Sequence, residues 1–75
     1  METHKAALMG MDHPAVMASL QARLDGRLLA LHGVLLSDAL TQVTARTHVL
    51  FDGALPEHVI AAYAAEAYAQ AEVAL

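Results

Sequence analysis

Val34 to Leu75 reads VLLSDALTQVTARTHVLFDGALPEHVIAAYAAEAYAQAEVAL: one amphipathic helix, a punctuated turn, and a second helix dominated by alanine. On a wheel of 100° per residue, Leu35, Leu36, Ala39, Leu40, Val43, Leu50 and Phe51 gather into one arc. Ser37, Asp38, Thr41, Gln42, Thr44 and His48 lie mostly opposite. The turn Asp52-Gly53-Ala54-Leu55-Pro56-Glu57 separates the two helices. Gly53 is free to take positive φ at a C′ position, Pro56 suits a first helical turn, and Glu57 sits near the positive dipole end of the next helix. A turn this short predicts antiparallel neighbours.

The last helix, Pro56 to Leu75, is apolar over a wide arc that includes Ile60, Tyr63, Ala64, Ala67, Tyr68 and Ala71, with Glu66, Gln70 and Glu72 left to solvate the rest. Its small residues allow another helix to approach closely, although alanine is also the best helix former and serves as filler on an exposed face. Within the hairpin, Leu36, Leu40, Val43 and Leu50 are expected to face Ile60, Tyr63, Ala67 and Ala71. One helix–helix contact uses a stripe of about 100°, narrower than these arcs. The edge residues Leu35, Phe51, Tyr63 and Tyr68 are therefore the candidates for contact with another chain, because large side chains make good anchors.

Upstream, Asp12 is a candidate N-cap and Pro14 suits the turn after it, so a helix is expected to start there. Val16, Met17, Leu20, Leu24, Leu28 and Leu31 follow in a narrow stripe resembling a coiled-coil seam, flanked by Arg23 and Arg27. Gly26 costs about 1 kcal/mol of helix propensity relative to Ala. If the helix ran straight to Phe51, its apolar stripe would shift by about 100° after Gly33, more than the drift of an ideal helix. Either the chain breaks at Gly33, giving three helices, or one long helix shows different faces to different neighbours. Interior glycine is a common kink site, which favours the break. Residues 1–11 show no periodicity and read as a flexible arm, leaving residues 12–75 as a single small domain. The expected fold class is all-α: an antiparallel helical hairpin with a preceding helix, completed by a partner or by self-association.

Seventy-five residues give a thin core. Of the 57% hydrophobic residues, seventeen are Ala and only three are aromatic, so each buried position brings little bulk. There are no cysteines, which removes disulfides and thiolate metal sites as staples. A partner chain is the remaining one. The net charge of −4, with nothing basic after Arg46, argues against nucleic acid and against anionic membrane surfaces. The apolar run Leu28 to Leu36, interrupted by His32 and Gly33, is far short of the roughly 20 residues of a transmembrane helix. The segment before Asp12-His13-Pro14 is a poor secretion signal, so a cytoplasmic location is expected.

Chemistry-bearing constellations are sparse. Met1, His4, Met9, Met11 and His13 resemble a copper-binding tail in ligand type, and the hairpin could bring His48, Asp52 and His58 together as a two-His, one-carboxylate site. Histidines on polar helix faces are ordinarily solvated, and no carboxylate pattern supports these as ligands. Ser19, Ser37 and the threonines have no adjacent base, and the single glycines at 10, 26, 33 and 53 form no phosphate loop. No catalytic residue, cofactor site or metal site is assigned.

The helical stretch opened by Leu20 and Leu24, the long run ending at Gly53, the Gly53-Ala54-Leu55-Pro56-Glu57 turn and the Ala-rich helix to Leu75 together resemble the small E-type co-chaperones of type III secretion needle proteins. The resemblance implies a cytoplasmic helical hairpin that packs against a tetratricopeptide-like chaperone, the pair keeping an aggregation-prone needle subunit monomeric before export. The last helix departs from that pattern in having no basic residue and more alanine. The expected function is thus a non-enzymatic interaction protein. A homodimeric helical protein with a small-ligand or His-based metal role is the alternative.

Overall fold

A computed structural model describes residues 13–74 as three helices. They are α1, His13–Leu31; α2, Leu36–Leu50; and α3, Glu57–Ala74. The class is all-α as the periodicity predicts, and each helix packs on the other two. The arm expected over residues 1–11, with Met1, His4, Met9 and Met11 of its ligand set, and the Asp12 cap lie outside the described residues, while His13 is the first residue of α1.

The chain breaks at Gly33. The Val34 amide donates to the Leu29 carbonyl at 3.0 Å and the Gly33 amide to the Ala30 carbonyl at 3.1 Å, the paired bonds of a Schellman cap. That cap needs a left-handed residue at C′, and Gly33 supplies it with φ 77°. Val34 and Leu29 then pack against the same core cluster, the apolar contact that accompanies this cap. The second turn differs by one residue from the sequence reading. Asp52 takes the C′ position with φ 50°, and Gly53, with φ 72°, is the next residue, its amide donating to the His48 carbonyl at 3.1 Å. Asp is among the few side chains that tolerate this region. Pro56 precedes α3 and its carbonyl accepts from the amides of Val59 and Ile60.

Two core clusters give the helix directions. One joins Ala22 of α1, Val43 of α2, and Ile60 and Ala64 of α3; the other joins Ala30, Ala39, Tyr68 and Ala71. Moving from the first to the second goes forward along α1 and α3 and backward along α2. The bundle therefore runs up, down, up, with α2 antiparallel to both neighbours.

The most extensive contact is α1 on α3, not the α2–α3 hairpin. It is made by small residues: Ala15, Ala18, Ala22, Gly26 and Ala30 are buried on α1, with Ala64 and Ala71 on α3. A Cβ built on Gly26 would stand 2.6 Å from the Ala64 carbonyl oxygen, so the two backbones touch here. The leucine stripe of α1, which resembles a coiled-coil seam in its spacing, points outward. Close backbone approach excludes bulk, and the face built of Ala and Gly is the one that fits. On α2, Ala39, Val43 and Thr47 are buried as the wheel suggests. Leu36 and Leu50, expected to face α3, are exposed at the first and last positions of the helix.

Candidate functional site

α1 has two apolar faces. Ala18, Ala22, Gly26 and Ala30 recur every four residues on the inward side. Met17, Leu20, Leu24, Leu28 and Leu31 form the other stripe, about 180° away at 100° per residue. All five are exposed, Leu20 to 54% and Leu24 to 53%. Because the inward face of α1 is already committed to α2 and α3, no rotation of the helix can bury these leucines within the three described helices.

A groove of about 500 Å³ runs beside the stripe, between α1 and α3. Leu24 and Leu31 border it on one side, Ala67, Ala71 and Ala74 on the other, with Arg23, Arg27 and Glu66 at its rim. Arg23 lies over the Tyr63 ring, 4.9 Å from its centroid, which draws its charge off the leucine face and toward α3. On the α2 side of α1, Asp25 is buried. Its Oδ1 accepts from Gln21 Nε2 at 3.0 Å and its Oδ2 stands 3.7 Å from Arg46 Nε, an ion pair without a hydrogen bond. The result is an apolar strip with charge at its margins, the form taken by surfaces that receive an amphipathic helix.

Of the four contact residues expected from the sequence, Leu35 is exposed at 70%, while Phe51 and Tyr63 are half-buried. Tyr68 does not stand at the edge. It is 7% exposed, packs with Ala30, Ala39 and Ala71, and donates its hydroxyl to the Val34 carbonyl at 2.5 Å. The polar tip that suggested an interface is used instead to hold the α1–α2 connection. The leucine stripe itself was legible as a coiled-coil-like period, but the side it faces was not. The signal that gives the side is the small residue at every fourth position from Ala18 to Ala30.

The His48, Asp52 and His58 cluster is not assembled. No group of three His, Asp or Glu side chains among the described residues is placed to hold a metal ion, and the His48 ring lies beside Gly53. The hydroxyls of Ser19, Thr41 and Thr44 donate to carbonyls of their own helices, those of Val16, Ser37 and Leu40. Among the described residues no helix is long and apolar enough to cross a membrane. Comparison with protein families, with characterised proteins and with solved structures returns no match to this chain. The functional reading therefore rests on the residues themselves.

Proposed function

We propose that the protein is a non-enzymatic interaction protein that offers the leucine face of α1 to an apolar helical surface of another polypeptide chain. Its specific role in this proposal is that of a cytoplasmic co-chaperone, acting with a tetratricopeptide-like chaperone on a type III secretion needle subunit. One observation carries the docking reading: five large apolar side chains share one exposed face of a helix whose opposite face is filled. The resemblance in the hairpin turn and the Ala-rich last helix supports the co-chaperone role.

The magnitudes suit a regulated contact. Burying a leucine fully contributes about 1.5–3 kcal/mol, so covering five half-exposed side chains contributes about 5 kcal/mol from this side. A partner of matching apolar area doubles that gross figure. Losses of about 4–15 kcal/mol in freedom on association leave a modest net affinity. Co-expression with the chaperone and needle subunit encoded nearest its gene tests the role. Wild type is expected to co-purify with them, and Leu20→Glu with Leu24→Glu to lose them while staying helical. Unchanged co-purification of that double variant would refute the docking face.

A further inference from the structure

We infer that the occupant of the leucine face is a second copy of this chain, docked antiparallel through α1 about a two-fold axis at Leu24. This rests on reading that face as a docking surface and names what covers it when the chain is on its own. Met17, Leu20, Leu24, Leu28 and Leu31 are spaced 3, 4, 4 and 3 residues apart, a series that reads the same in both directions. A two-fold interface sets one patch against itself, residue i on j and j on i. With the axis at Leu24, that residue meets Leu24 of the second copy, Leu20 meets Leu28, and Met17 meets Leu31. Every large apolar side chain of the stripe then opposes another.

Two further features fit this arrangement. Spacings of 3, 4 and 4 repeat every 11 residues, close to the natural turn of a straight helix, so the stripe stays in line along α1 and two copies match over its whole length. Charge is kept off the seam: Arg23 lies over the Tyr63 ring on the α3 side, and Asp25 is buried on the α2 side beside Arg46.

Light scattering on the full chain, with thiol cross-linking, tests this directly. The chain has no native cysteine, so an introduced thiol is the only one. The expected mass is twice the 7.9 kDa of one chain, and Leu24→Glu should raise the dissociation constant at least about 30-fold. On oxidation with diamide, Leu24→Cys should cross-link to itself. Met17→Cys and Leu31→Cys should cross-link only when mixed, because in the antiparallel pair like positions lie about 21 Å apart, beyond the roughly 7 Å reach of a disulfide. A mass other than two chains, or self-cross-linking of Met17→Cys, overturns the inference, and both readouts stand even if Leu24→Glu fails to fold. A single-chain mass combined with Leu24-dependent capture of the needle subunit would overturn the second copy alone and leave the docking reading intact.

Discussion

Gly26 and Gly33 are both needed as glycine, for opposite reasons, and one substitution separates them. At Gly26 the backbone is helical, so alanine gains about 1 kcal/mol of propensity, but its Cβ would sit 2.6 Å from the Ala64 carbonyl oxygen. Forcing α1 and α3 apart costs about 1–3 kcal/mol. Gly26→Ala is therefore expected to lower the Tm, by about 4–8 °C per kcal/mol of net loss, and to alter tyrosine fluorescence because Tyr63 and Tyr68 line α3. An unchanged or raised Tm would mean that the helices do not touch there. At Gly33 a Cβ meets nothing within 4 Å, and only φ 77° is at stake. Gly33→Ala should cost about 1–2 kcal/mol with wild-type fluorescence. Tyr68→Phe keeps the ring and removes the donor to Val34, so a loss of about 1 kcal/mol is expected in thermal melts. Tyr68→Ala removes a core side chain, worth about 3–5 kcal/mol, and should take helicity and any binding away together.

At the scale of elements, the existence and order of the helices were legible because their punctuation is local: Gly33 and the Asp52-Gly53 pair end helices by backbone geometry, and Pro56 starts one. The direction in which α1 presents its stripe was not legible. A period of 3.6 reveals two apolar faces on α1 without saying which is wet, and leucine outweighs alanine on any transfer scale. The choice is made between helices, where backbone contact at Gly26 and Ala64 admits only small residues. Tyr68 was misplaced for a related reason, since its hydroxyl partner at Val34 is far away in sequence. Exposed and buried positions of α1 should thus respond oppositely to chemistry. Leu20→Glu or Leu24→Glu should leave the monomer within about 0.5 kcal/mol of wild type. Ala22→Leu, at a fully buried site, should lose about 1–3 kcal/mol or more despite being the more hydrophobic change. Denaturant titration of the three variants checks the contrast.

For the whole molecule, seven of the ten buried apolar residues among those described are alanine. A bundle with so little bulk inside has a modest stability of its own, and the larger apolar side chains are held outside, where association can use them. Thermal unfolding followed by circular dichroism over a hundredfold range of concentration, for wild type and for the Leu20→Glu, Leu24→Glu double variant, tests that division most directly. The account predicts that the wild-type Tm rises with concentration, while the double variant is helical and melts at one temperature throughout, matching dilute wild type. A double variant already unfolded at concentrations where wild type is folded would place these leucines in the core and contradict it.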